Sequence, residues 1–109
     1  MKFSLISLLM IGLMGASASA KNYEVQMKSI SYAPKNLQIQ PGDTVEWVNA
    51  SYTDHSASES DKTFDTGLVA PGKSSKKIRF DQPGTFRYHC SIHGLSMSGE
   101  IDVTPKRKP

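Results

Sequence analysis

The stretch YHCSIHGLSMSGEI, residues 88–101, holds the only cysteine of the chain, two of its three histidines and one of its five methionines. Cys90 ends a run of alternating apolar residues that begins after a Pro83-Gly84 turn, and a second such run resumes near Gly99. Side chains two residues apart lie on one face of a strand. The stretch therefore predicts two strands joined by a short loop that carries a thiol, an imidazole and a thioether.

The same strand pattern extends through most of the chain. Turn sequences containing proline and glycine separate the alternating runs, and no window of helical length has an apolar period of three to four residues. Several short strands at this spacing predict a single all-β domain, either a sandwich or a barrel. Besides the runs that flank Cys90, the pattern includes Tyr23/Val25/Met27, Leu37/Ile39 and Ile78/Phe80.

The amino terminus has the layout of a secretory signal peptide. Lys2 precedes an apolar run from Leu5 to Met14, and small residues follow as far as Ala20. We expect residues 1–20 to be a cleaved signal peptide and residues 21–109 to be the mature domain, with a short basic tail at 105–109. The alternative is an uncleaved anchor, although the apolar run is short for a membrane span. The absence of a twin-arginine pair favours export as an unfolded chain.

Composition limits how so small a domain can be stabilised. A core of this size is only marginally stabilising by itself, and one cysteine cannot form an internal disulfide. A metal is the next candidate. The formal net charge of +3 owes much to the tail residues 106–108, a short basic end that indicates a solvated terminus, and we expect no nucleic-acid binding.

The third histidine, His55, lies in a polar segment at 49–63 that we expect to be a surface loop. A sandwich can bring this loop to the same end as the loop after Cys90. Two imidazoles, a thiolate and a weak thioether form the donor set of a trigonal copper site with a long axial methionine. The predicted ligands of one copper ion, cycling between Cu(I) and Cu(II), are His55, Cys90, His93 and Met97.

Each of these residues also has a simpler interpretation. Cys90 could be inert packing or a free thiol, Met97 could be core filler, and His55 could be solvated. Zinc is a rival metal, but structural zinc sites usually have a second thiolate. A catalytic cysteine would need a base oriented by a third group, and the chain has no hydrolase motif or oxyanion loop. We therefore expect no enzymatic activity.

Five segments in order resemble the cupredoxins, and among them the small plastocyanin, amicyanin and pseudoazurin type. The resemblance covers roughly residues 36–103, which is most of the mature chain. It implies an antiparallel Greek-key β-sandwich with a type 1 (blue) copper at one end, working as a mobile one-electron carrier. The segments are QPGDTVEWVN (40–49), DHSAS (54–58), FDTGLVAPGKS (64–74), GTFRYHCSIH (84–93) and MSGEI (97–101).

The four predicted ligands match the ligand positions of that family. Ser56 falls where the family often has a hydrogen-bonding residue that ties the two ligand loops together. One departure concerns the loop length: three residues separate His93 from Met97, whereas amicyanins typically have two and plastocyanins four. Met97 keeps the family's spacing to the next strand and is the best axial candidate.

The resemblance also implies an electron-transfer patch formed by His93, Gly94 and Leu95, where a weakly charged apolar surface suits a partner that must dissociate after each transfer. His89 precedes Cys90 and should point away from the metal, in a position where plastocyanin carries an exposed aromatic; we consider it a possible second electron port. We expect the large aromatics to pack the core: Trp47, Phe64, Phe80, Phe86 and Tyr88.

The leading functional prediction is a monomeric, soluble periplasmic electron carrier with transient redox partners such as a cytochrome c, a dehydrogenase or a reductase, and without stable membrane insertion. The alternative is a copper carrier or storage protein that never cycles the ion, although such proteins more often have Met-rich or His-rich tracts. A third interpretation is an interaction domain that has lost redox use. The complete set of four donors argues against it.

Overall fold

The computed structural model describes residues 20–105, so the predicted signal peptide and the basic residues of the tail lie outside the described part of the chain, apart from Ala20. Within residues 20–105 there are eight strands and no helix, which confirms the all-β prediction. The strands are β1 (Asn22–Met27), β2 (Tyr32–Ala33), β3 (Asn36–Ile39), β4 (Asp43–Asn49), β5 (Ser58–Glu59), β6 (Ile78–Phe80), β7 (Gly84–Cys90) and β8 (Gly94–Val103).

The strands form two four-stranded sheets, in the orders β2-β1-β4-β6 and β3-β8-β7-β5. This arrangement confirms the predicted sandwich. The sheets are mixed, however, because β1 pairs with β4 and β3 pairs with β8 in parallel. The chain leaves the first sheet after β2, adds β3 to the second sheet and returns with β4 running in the direction of β1. The antiparallel arrangement that the resemblance implied is therefore corrected for these two strand pairs. Apolar alternation could not have revealed them, because it reports which face a residue occupies and carries no information on strand direction.

Alternating side chains of both sheets meet in one core. In β4 every second residue is buried, from Asp43 to Asn49. Trp47 is fully buried, stacks on Phe64 at 5.6 Å between ring centroids and meets Tyr88 edge to face at 5.3 Å. Such aromatic pairs contribute about 0.5–1.5 kcal/mol each beyond the area they bury. The predicted core aromatics are buried, except that Phe86 is only partly covered.

The sandwich brings the carboxyl-terminal ends of two strands, β4 and β7, to the same end of the molecule. Strand β4 ends at Asn49 and leads into the loop with His55, and β7 ends at Cys90. The Sγ atom of Cys90 lies 3.6 Å from Nδ1 of His55, so the two loops meet at the same end of the molecule. The predicted site is located there.

Candidate metal centre

His55 is fully buried, although it belongs to a segment that is polar in composition. Its backbone is paired with Val69: the His55 N–H donates to the Val69 carbonyl at 3.2 Å, and the Val69 N–H donates to the His55 carbonyl at 2.7 Å. This pair fixes the Cα position of His55 from a neighbouring loop. The alternative of a solvated histidine is therefore excluded.

The Asn49 side chain supports the same loop from the end of β4. Its amide donates to the carbonyls of Thr53 and Val69, at 2.7 and 2.8 Å, and its oxygen accepts the Ser51 N–H at 2.9 Å. The Ser51 O–H donates to the same oxygen at 2.7 Å, so the Asn49 side chain, only 1% exposed, makes four hydrogen bonds to loop groups. One buried amide thus holds both sides of the His55 loop.

Cys90 is fully buried and is a free thiol. The β7–β8 ladder is irregular at this point: His89 pairs with Ser98, but Cys90 pairs with Gly94. The strand β8 therefore has three more residues than β7 between these two pairs, and the extra length bulges out around Cys90. Met97 is the last residue of this bulge and His93 lies just before it, so one hairpin carries three candidate ligands.

Three donors converge at this end of the sandwich. One ligand atom each of His55, Cys90 and His93 lies within 4.8 Å of the other two. The rings of His55 and His93 are 5.1 Å apart between centroids and tilted by 43°. The arrangement brings together three of the four predicted ligands.

Two observations test whether a metal fits. With metal–sulfur and metal–nitrogen bonds of about 2.3 and 2.0 Å, as in zinc sites, a sulfur–nitrogen separation of 3.6 Å corresponds to an angle of about 114° at a shared ion. This value lies between the tetrahedral and the trigonal angle, so one ion can bind both atoms. In addition, Nδ1 of His93 is buried and has no hydrogen-bond partner among the described residues, as expected of an atom reserved for a metal. A His-His-Cys set of this kind fits a single type 1 copper ion.

Electrostatics favour the metal-binding form of His55. Burial lowers the pKa of His55, and the neighbouring His93 lowers this pKa further. A lowered pKa keeps the imidazole neutral, and a neutral imidazole is the form that ligates metals. The His55 imidazole is therefore held in the form that can bind an ion.

Met97 is fully buried and belongs to the same apolar cluster as Cys90. Its burial is compatible with both an axial ligand and core packing, so the axial role stays a prediction. His89 is half-buried and does not belong to the group of converging donors. Its Nδ1 atom is buried without a hydrogen-bond partner in the described residues.

Ser56 joins the two ligand loops, the position suggested by sequence. Its hydroxyl oxygen accepts the Ser91 N–H at 2.9 Å, one residue beyond Cys90. The same oxygen lies 2.9 Å from Oγ of Ser58, whose O–H donates to Asp65 at 3.0 Å. The Ser56 O–H donates to Oγ of Ser91 at 3.0 Å. A series of hydrogen bonds thus connects Asp65, through Ser58 and Ser56, to Ser91 beside Cys90.

Several supporting residues were not predicted from the sequence. Besides Asn49, Ser58 and Asp65, Tyr32 matters because its O–H donates to the Ser56 carbonyl and its ring meets Tyr88 at 4.6 Å. Burial raises the pKa of Tyr32 far above its usual value, so this hydroxyl stays a donor. No sequence signal points to these residues, because their partners lie in other loops.

The rim of the centre is apolar and accessible. Leu95 is 79% exposed and Ile92 is 53% exposed, on either side of His93, which is partly exposed. Gly94 has a φ of +61°, a left-handed conformation that favours glycine and lets the loop turn between them. Across residues 20–105, no helix is long and apolar enough to cross a membrane.

Comparisons with known proteins agree with this geometry. The family model described as "Cupredoxin-like domain" matches residues 2–103. A plastocyanin of Nostoc punctiforme is 33% identical over 107 residues, which are 80% of this chain and 77% of that protein. The similarity to a purple cupredoxin from Nitrosopumilus maritimus, at 23% identity and a TM-score of 0.69 over 75% of this chain and 99% of that one, shows the fold.

A copper-containing nitrite reductase from Thermus scotoductus is also similar, with 34% identity and a TM-score of 0.70. The match covers 78% of this chain but only 23% of the reductase. The present chain thus corresponds to about a quarter of that enzyme.

Proposed function

The chain belongs to the family of proteins with a cupredoxin-like domain, and from this premise we propose that it is a blue copper protein that carries single electrons between redox partners. The observation that carries the proposal is the convergence of His55, Cys90 and His93 within 4.8 Å at a buried end of the sandwich. Bound copper supplies a one-electron couple between Cu(I) and Cu(II). The proposed ligand set adds Met97 as the weak axial donor.

The chain's own contribution is to hold the donors in place. Val69 and Asn49 fix the His55 loop, and Ser56 fixes the backbone beside Cys90. Donors that keep their positions in both oxidation states keep the reorganisation that accompanies electron transfer small. The same rigidity disfavours a carrier or storage protein, which must release its ion.

Electrons would enter and leave through the partly exposed edge of His93. The proposed electron-transfer patch is His93, Gly94 and Leu95, and the exposed Ile92 extends it. A small, weakly charged surface of this kind suits transient partners such as a cytochrome c, a dehydrogenase or a reductase, which must leave after each transfer. We propose that the protein acts as a monomer.

We propose no catalytic activity for this chain. It matches a minor part of the nitrite reductase, so that enzyme's reaction is not carried over. We propose that the protein works in the periplasm, after removal of a signal peptide at residues 1–20. The support is the pattern of Lys2, the apolar run and the small residues that end at Ala20.

Copper titration of the purified protein tests this function. We expect Cu(II) to produce an intense thiolate-to-copper absorption band, which Cys90→Ser abolishes and the control His89→Ala retains. Voltammetry should then give a reversible one-electron wave. Copper binding without Cys90 would contradict the proposed centre, and a site that binds copper without a reversible wave would favour the carrier or storage function.

A further inference from the structure

A buried carboxylate lies far from the metal centre and beside the proposed cleavage site. Asp43 begins β4 and is only 5% exposed. Its two oxygens accept backbone N–H groups, Oδ2 from Gln40 and Oδ1 from Lys21, each at 2.9 Å. Each oxygen of this carboxylate thus has one hydrogen-bond donor, but the negative charge of the group is not balanced.

The ion pairs within residues 20–105 join Arg79 to Asp81 and Arg87 to Glu100, and neither includes Asp43. Burying a carboxylate without a nearby cation is costly, because neutral amides replace only part of the hydration it loses. A cation at the position of either amide nitrogen would balance the charge without any rearrangement of the backbone.

Lys21 provides that position if the signal peptide is removed. Cleavage after Ala20 would turn the Lys21 backbone nitrogen from an amide into an α-ammonium group, already 2.9 Å from Oδ1 of Asp43. Ala20 and Lys21 are both exposed, so the cut bond is accessible and the new ammonium can keep its other protons in water. The Thr44 N–H donates to the Lys21 carbonyl at 2.9 Å, which holds this residue beside β4.

We propose that cleavage between Ala20 and Lys21 creates an ion pair between the Lys21 α-ammonium and Asp43, and that this pair stabilises the mature domain only. The proposal rests on the signal peptide proposed above and not on the metal centre. In the precursor Asp43 accepts a hydrogen bond from a neutral amide, whereas in the mature domain the same oxygen faces a cation, which adds Coulomb attraction to the hydrogen bond. The domain therefore gains stability after cleavage.

The test begins with expression of the full chain with its leader, followed by the intact mass of the processed protein. The mass of residues 21–109 is expected, and any other amino terminus would overturn the proposal. The α-amine is then modified near neutral pH, where α-amines, with an ordinary pKa of about 7.7–8.0, are more reactive than lysine side chains at about 10.4. Acetylation removes the charge, whereas reductive dimethylation keeps it.

Denaturant unfolding of the unmodified, acetylated and dimethylated proteins measures how much the ion pair contributes to stability. Acetylation should raise the unfolding equilibrium constant roughly tenfold and dimethylation less than threefold. In Asp43→Asn both modifications should change it less than threefold, whereas the control Glu24→Gln, an exposed charge on β1, should behave like the native sequence. If acetylation changes the unfolding equilibrium constant equally in the native protein and in Asp43→Asn, the proposal is overturned.

If Asp43→Asn does not fold, the two modifications are compared in the native sequence alone. Acetylation and dimethylation that destabilise the protein equally would contradict a role for the charge. The copper absorption band is recorded on every form and should be unchanged, because Lys21 and the centre lie in different parts of the fold. A failure of the ion pair is therefore distinguishable from a failure of the copper function, which would appear in the Cys90→Ser comparison.

Discussion

The two histidines of the centre offer the same kind of donor from loops that are held very differently. His55 is fully buried, and its backbone is paired with Val69, which the Asn49 side chain holds in turn. His93 is partly exposed on the loop after Cys90, where the Ser91 N–H bond to Ser56 is the link to the His55 loop. The buried histidine provides a fixed position, and the exposed one provides access.

This difference separates two requirements of an electron carrier. A fixed donor keeps the site geometry constant between oxidation states, and an accessible donor lets electrons reach a partner. If both histidines were buried, the partner would remain too far away; if both were exposed, water and loop motion would disturb the centre. Substitutions in the two loops should therefore have different consequences.

The largest effect is expected from removing each imidazole. His93→Gly should lose the copper band, and added imidazole should restore most of it, because the vacated space opens to solvent. His55→Gly should lose the band without rescue, since the space is enclosed. Absorption spectra with and without imidazole check this. Equal rescue of both variants would contradict the difference in accessibility between His55 and His93.

The support of the His55 loop comes next. Asn49→Ala removes four side-chain hydrogen bonds, one of them buried and three partly buried, and should lower the free energy of unfolding by about 3 kcal/mol. Denaturant unfolding measures the loss, and hydrogen exchange at His55 and Val69 should become faster. The control Asn22→Ala breaks exposed side-chain bonds and should cost less than about 0.5 kcal/mol. Similar losses in both variants would contradict the role given to Asn49.

The link between the loops should have a smaller effect. Ser56→Ala leaves the Ser91 N–H without its partner and should cost about 1–2 kcal/mol, with faster hydrogen exchange at Ser91. Ser58→Ala keeps the bond to Ser91 and should cost about half as much. The larger loss in the free energy of unfolding is expected for Ser56→Ala, because Ser56 contacts Ser91 itself. A larger loss for Ser58→Ala would contradict the role given to Ser56.

The smallest effect on stability is expected at the rim. Leu95→Ser changes a side chain that is 79% exposed and should alter the free energy of unfolding by less than about 0.5 kcal/mol. Its effect should appear instead as a several-fold slower electron transfer to a cytochrome c in stopped-flow measurements. The reaction with a small inorganic oxidant should be nearly unchanged. An unchanged rate with the protein partner would remove Leu95 from the electron-transfer patch.

Sequence reasoning reached further for the Cys90 hairpin than for the His55 loop. Cys90, His93 and Met97 lie within eight residues, so local alternation places them together at the end of one strand. His55 could be connected to them only through the resemblance and the assumption of a sandwich, because nothing in a polar segment indicates a fully buried imidazole. The parallel pairing of β1 with β4 was not predicted either, since alternation is the same for both strand directions.

The sequence by itself determined the all-β class and five of the eight strands, and it pointed to donors that suit copper, because side-chain periodicity and donor chemistry are local properties. Only the tertiary structure decided which loops meet, how Asn49 and the serines hold them, and that the Lys21 nitrogen lies against Asp43. These contacts join residues distant along the chain. Their geometry arises when two sheets close over one core, and no local pattern encodes it.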